Sequence, residues 1–200
     1  MENSIITKYT NEIKKTVSGR KILFATVPFD GHVNPLTGLA VHLKSLGYDV
    51  RWYTSTYYAD KMQKLGIPFY PLVKAMDVRA DEVDVLFPER KKHKSQVAKL
   101  NYDIINVFIN RATEYFADVV EIHKTFPFDV MISDITFTAT PFVIDIMKKP
   151  VITGGIVPLT ETSKDLAPSG LGITPSSSVP GKIKQAALRF FAIKSFLKSL

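Results

Sequence analysis

Residues 21–43, KILFATVPFDGHVNPLTGLAVHL, run from an unbroken apolar stretch through a Gly-His turn into a helical pattern. KILFATV (21–27) has strand length and no polar alternation, as expected of a parallel strand buried on both faces. Asn34 suits a helix N-cap, and Pro35 suits the first helical position, where its missing N–H costs nothing. Leu36, Leu39, Ala40 and Leu43 then recur at helical spacing, and Gly47 closes the helix. A buried strand that passes directly into a helix is half of a βαβ unit.

The alternation continues outward from this segment. DVRWYTS (49–55) reads as a second strand, residues 56–66 as a helix ending at Gly66, and IPFYPL (67–72) as a third strand. Residues 75–98 show no clean period and pass from acidic (DVRADEVD) to basic (ERKKHK), which marks a long surface excursion of the kind that touches ligands. Apolar residues at 100, 104, 108, 112, 116 and 119 predict a long helix over 100–122. FDVMISD (128–134) reads as a fourth strand, 135–149 as a turn and helix, and PVITGG (150–155) as a fifth strand. Residues 154–181 are rich in Gly, Pro, Ser and Thr and read as loop. Upstream, Ile5, Tyr9, Ile13 and Val17 lie four apart and predict a helical extension over residues 1–19. Strand alternating with helix predicts an α/β fold with a doubly wound, Rossmann-like parallel sheet over residues 20–200.

Composition narrows the function classes. Apolar residues make up 46% of the 200-residue chain and charged ones 22%, in the range of a globular protein with a substantial core. Cysteine is absent, which excludes disulfides and thiolate metal sites. The first twenty residues lack a signal-peptide h-region, and no apolar run reaches bilayer-spanning length, so a cytoplasmic location is expected. The net charge of +7 would suit a nucleic-acid binder. Its Lys and Arg residues are scattered, however, and none interleave with aromatics as in a single-strand platform, so no nucleic-acid partner is expected. The last segment, KIKQAALRFFAIKSFLKSL, is a basic amphipathic helix. Ala186, Phe190, Ile193 and Leu197 share one face, and packing on protein is the favoured reading over a peripheral membrane contact.

The turn itself carries the chemistry. A dinucleotide fold needs G-x-G-x-x-G at this place, and PFDGHVNP has a single glycine, so neither the phosphate loop nor a P-loop lysine is present. What remains is His32, placed beside the start of a helix whose partial positive charge favours the neutral imidazole. A neutral imidazole is able to accept a proton, as a general base must. Asp134 closes the fourth strand at the same carboxyl edge; accepting the other ring N–H, it would fix the tautomer and balance the cation formed. Taken alone, a Gly-His turn is more often structural, and Asp134 would also suit a helix cap. Strand order decides whether the two meet, and the sequence leaves that order open. His42, His93 and His123 are expected to be solvated.

GHVNPLTGLAVHLKSLGYDVRWYTS (31–55), followed by YADKMQKLGIPFYPL (58–72), resembles the opening of the UDP-sugar-dependent glycosyltransferases of the GT-B fold, above all the bacterial macrolide-type group. DVMISDITFTATPFVIDIMKKPVIT (129–153) is similar to the family's fourth-strand segment, and SKDLAPSGLGITP (163–175) to a later loop. The resemblance implies the N-terminal, acceptor-binding domain of an inverting enzyme that moves a sugar from a nucleotide sugar, such as a UDP-hexose, to a hydroxyl of a lipophilic small molecule. It implies His32 as general base and Asp134 as its partner, with no metal and no cofactor beyond the nucleotide-sugar co-substrate. By the same resemblance Thr153 falls near the donor sugar, Gly31 allows close backbone approach, and Asn34 presents the helix start to the donor phosphate. Phe29, Phe87 and Phe137 are candidates for an apolar acceptor pocket, although core packing suits each of them. The family's second, donor-binding domain has no counterpart in these 200 residues. The expected partner is therefore a donor domain or a separate donor subunit, and the alternative is a non-catalytic small-molecule-binding or docking chain.

Overall fold

The computed structural model describes residues 19–157, 163, 165–166 and 173–197; the expected N-terminal helix over 5–17 lies outside the described residues. Five strands form one parallel sheet: β1 (Lys21–Ala25), β2 (Asp49–Thr54), β3 (Phe69–Pro71), β4 (Val130–Asp134) and β5 (Val151–Gly154). Their order across the sheet is β3-β2-β1-β4-β5, with every pairing parallel. The chain winds outward from β1 to one edge, then returns beside β1 with β4 and winds to the other. The β1/β4 boundary is thus the topological switch point, where open α/β sheets open a crevice beyond the strand ends.

The helices, in chain order, are α1 (Asp30–Val33), α2 (Thr37–Ser45), α3 (Ala59–Leu65), α4 (Val83–Leu86), α5 (Gln96–Asp103), α6 (Ala112–Thr125), α7 (Thr140–Asp145) and α8 (Val179–Leu197). The two faces of β1 explain the layering. Ile22 and Phe24 point to one side and pack with Ala40, Trp52 and Met62 under α2 and α3. Leu23 and Ala25 point to the other and pack with Tyr53, Val119 and Ile122 under α6. A strand buried on both faces has no polar alternation, which is why KILFA reads as a continuous apolar run.

Several boundaries differ from the sequence reading. β1 stops at Ala25 although the apolar run continues to Val27, because the Val27 N–H is given to the Asp134 carboxylate instead of a neighbouring strand. Asn34 is not the N-cap expected: the helical path begins at α1, with extended Phe29 at its cap, and Asn34 already has helical dihedrals. The stretch read as an irregular excursion holds α4 and a 3₁₀ turn, Pro88–Lys92. Its far end begins α5, which is capped by the Ser95 side chain accepting from Ala98 N–H. The single long helix expected over 100–122 is instead α5 and α6 joined by an i→i+5 turn, Ile104–Phe108, and a 3₁₀ turn, Ile109–Arg111.

The chain divides into two compact units between residues 156 and 157. Within the second, α8 occupies the predicted helical segment, and Gln185 donates to the Ser176 carbonyl while Arg189 donates to that of Leu166. Among the described residues no helix is long and apolar enough to cross a membrane.

Candidate active site

The site grows from the sheet register. Ala25 of β1 pairs with Ser133 of β4, so the next residue of β4, Asp134, lies level with the chain leaving β1. That chain, residues 26–29, carries on past the sheet edge and folds into α1, which brings His32 back over the strand end. His32 Nδ1 lies 3.1 Å from Asp134 Oδ1, across a separation of 102 residues. The carboxylate is fully buried and the imidazole 16% exposed.

A buried carboxylate needs donors, and Asp134 has them. Oδ2 accepts the Val27 N–H at 3.0 Å. Oδ1 accepts the Thr136 N–H at 2.8 Å and the Thr136 hydroxyl at 2.5 Å. Thr136 Oγ1 is also 3.0 Å from His32 Nδ1. With the Thr136 proton committed to Asp134, its oxygen is left to accept. His32 Nδ1–H is then shared between the carboxylate and that hydroxyl, a three-centre arrangement that assigns the proton to Nδ1 and leaves the Nε2 lone pair for a ligand. Thr136 was not singled out from the sequence. Its signal is the D-x-T spacing, where a threonine two residues after an aspartate closes a local side-chain turn.

His32 and Phe29 line a cavity of about 300 Å³ together with Val83, Val107 and Phe108. The Phe29 and Phe108 ring centroids are 5.8 Å apart, and they lie 6.0 and 6.3 Å from that of the imidazole. The opposite wall is polar. Arg90 grips Asp103 through Nε (2.7 Å) and Nη2 (3.0 Å) and Asp84 through Nη1 (2.7 Å), which ties α4, the 3₁₀ turn and α5 into one wall. The bond to Arg90 holds the exposed Asp84 carboxyl below its usual range, and the two carboxylates raise the guanidinium. Burial and then the nearby Asp134 charge raise the Tyr115 phenol, which therefore stays protonated beneath the site.

The other predicted site residues fall as follows. Gly31 is exposed, and a Cβ there would meet nothing within 4 Å, so packing inside the chain does not demand glycine at this position. Asn34 is exposed and its Oδ1 accepts from Lys61 Nζ, so it lies inside the helical path and not at a helix start facing a phosphate. Thr153 sits on edge strand β5, paired with Ser133 one place before Asp134, and is exposed. Phe87 and Phe137 are absent from the cavity wall. Phe87 packs with Val78 and Val107, and Phe137 is 2% exposed in the core with Tyr53 and Tyr115, where burial of a whole ring is the larger gain. The remaining histidines are not uniformly solvated. His42 is exposed, but His93 lies against the Tyr102 ring at 5.2 Å and His123 meets Phe128 edge-on at 4.7 Å. Burial, and then Lys149, lowers the pKa of His123.

A histidine hydrogen-bonded to a buried carboxylate thus lies at the switch point of the sheet, beside a cavity with one apolar and one polar wall. No family model matches the chain. It is 30% identical over 182 residues, 91% of its length, to 4'-demethylrebeccamycin synthase of Lentzea aerocolonigenes, of which it covers 43%. It is 27% identical over 173 residues to UDP-glycosyltransferase 2 of Phaeomoniella chlamydospora, of which it covers 38%. Among solved structures, the Streptomyces glycosyltransferase SsfS6 gives a TM-score of 0.54 at 19% identity, over 67% of this chain and 38% of that one. The calicheamicin glycosyltransferase CalG4 gives 0.53 at 21% identity, over 68% and 32%. The fold is an α/β parallel sheet whose structural neighbours are GT-B glycosyltransferases. Across most of its length the chain is similar to the Lentzea and Phaeomoniella relatives, and it spans less than half of each.

Proposed function

We propose that this chain supplies the acceptor side of an inverting glycosyltransferase. The acceptor hydroxyl enters the cavity beside His32, and its proton passes to Nε2 as its oxygen attacks the anomeric carbon of a nucleotide sugar. The nucleoside diphosphate leaves with the bonding pair of the C–O bond that breaks. Asp134 then faces an imidazolium through the Nδ1–H bond it already accepts, so the charge created in the step meets a preformed partner. A UDP-sugar as donor is in keeping with the name of the Phaeomoniella relative, and a lipophilic alcohol or phenol as acceptor with the apolar wall that Phe29, Val83, Val107 and Phe108 form. Residues that hold the donor diphosphate are assigned to a further segment of the kind the relatives carry beyond the matched length. The observation that carries this reading is the 3.1 Å contact between His32, which lines the cavity, and a fully buried Asp134.

The test joins this chain to the unmatched part of the Lentzea relative and assays hexose transfer from UDP-glucose to a panel of lipophilic alcohols and phenols. Transfer by the parent protein is expected to fall by about a hundredfold or more in His32→Ala, the usual scale for loss of a general base. Undiminished turnover in that variant would remove His32 from the chemistry.

A further inference from the structure

Phe108 reaches the site because the helix above it breaks its own period. In a straight α-helix, residues four apart drift by about 40° per step, so a run at 100, 104, 108, 112 and 116 would wander about 160° round the axis. The i→i+5 turn at Ile104–Phe108 resets that drift. Val107 is buried within it, and beyond it the buried apolar residues of α6 are Tyr115, Val119 and Ile122, of which only Val119 belongs to the expected stripe; Leu100 is half exposed. Such wide turns leave backbone groups without helical partners and are frequent at functional sites. Here the Phe108 carbonyl accepts the Thr138 hydroxyl at 2.9 Å, a bond from the turn that follows β4. Thr138 is four residues from Asp134, so the segment that carries the acid also fixes the residue above the imidazole.

The result is an aromatic corner. Phe108, Phe29 and His32 present three rings to one end of the cavity, at the 5.8–6.3 Å spacings already given and tilted at 41–60° to one another. Rings at such spacing and tilt favour a further aromatic partner over a saturated group of equal size. We propose that Phe108 is the specificity-determining residue of this site. It selects acceptors whose hydroxyl is carried on a flat aromatic ring, and the wide turn and Thr138 hold it in place. This deepens the acceptor-binding reading above and rests on it.

The test is binding by the 200-residue chain itself, so that it stands apart from any assay of transfer. Affinity for 2-naphthol and for its saturated counterpart decahydro-2-naphthol is measured by calorimetry for the parent chain, Phe108→Leu, Thr138→Val and Thr138→Ser. The parent is expected to favour the naphthol by about fivefold or more. Phe108→Leu should abolish that preference, with a larger loss of affinity for the naphthol than for the saturated alcohol. Thr138→Val should weaken the preference, and Thr138→Ser, which keeps the donor, should restore it. Thermal melts show which variants are folded at the assay temperature, and Thr138→Val carries the test if Phe108→Leu is not. Absence of a naphthol preference in the parent, or an unchanged preference in a folded Phe108→Leu or Thr138→Val chain, overturns the proposal. Transfer that fails with every alcohol while the binding preference behaves as described would sink the proposed activity and leave Phe108 as the selector.

Discussion

His32 donates one ring N–H into a pair of oxygens, and those oxygens are themselves tied to each other. Asp134 Oδ1 serves the imidazole, the Thr136 N–H and the Thr136 hydroxyl at once. The hydroxyl therefore restrains both members of the pair, and its removal should disturb their geometry without emptying the cavity. Thr136→Val keeps the side-chain shape and deletes the donor. In the joined enzyme described above it is expected to lower kcat by about tenfold with KM nearly unchanged, and Thr136→Ser should recover most of the loss. A KM effect with intact kcat would mean that Thr136 shapes acceptor binding and does not position the base.

At the scale of elements, small local devices decide where helices start and stop. α3 ends at Gly66, whose φ of +62° lies in the left-handed region. Its carbonyl accepts the Lys44 ammonium at 2.6 Å, and a Cβ at Gly66 would stand 2.8 Å from that nitrogen, the mobile tip of a long side chain. The conformational penalty thus outweighs the steric one. Gly66→Ala is expected to cost about 1 kcal/mol and to lower Tm by about 3 °C in a thermal melt. The wide turn between α5 and α6 is a device of the other kind. It spends helical hydrogen bonding to aim Val107 and Phe108, and it recovers one bond through Thr138.

At the scale of the whole sheet-bearing unit, one buried carboxylate fastens α6 to the segment leaving β3. Asp118 is 4% exposed. It accepts the Tyr53 hydroxyl at 2.8 Å and the N–H groups of Val73, Lys74 and Ala75 at 2.8–3.1 Å. Burial first, and then Asp118, raises the Tyr53 phenol far above its ordinary value, so it remains the donor at any working pH. Asp118→Ala strands two buried donors, the Tyr53 hydroxyl and the Ala75 N–H, and frees the partly buried N–H groups of Val73 and Lys74. It is expected to cost about 3 kcal/mol or more in urea unfolding, and a loss within about 0.5 kcal/mol would show that the loop is held by other means.

The same scale separates what was legible in the sequence from what was not. Alternation of strand and helix is written in short windows: the strand runs KILFA and DVRWYT, and the helix-ending glycines Gly47 and Gly66. Such signals depend on neighbours a few residues away, and so the α/β class and the carboxyl-edge placement of His32 and Asp134 follow from the sequence by itself. The helix start at Asn34 did not, because the contact that sets the path out of β1 comes from Asp134, 107 residues on from Val27. Phe87 and Phe137 were ambiguous for the same reason, since an aromatic in a polar stretch suits a wall or a core until packing selects one. Only the tertiary structure decided that β4 lies beside β1. That order arises from which strands the crossover helices allow to pair, a competition among distant segments that no local pattern records. It is the order that turns two isolated residues into a hydrogen-bonded pair, and it brings Thr136 and Phe108 to them.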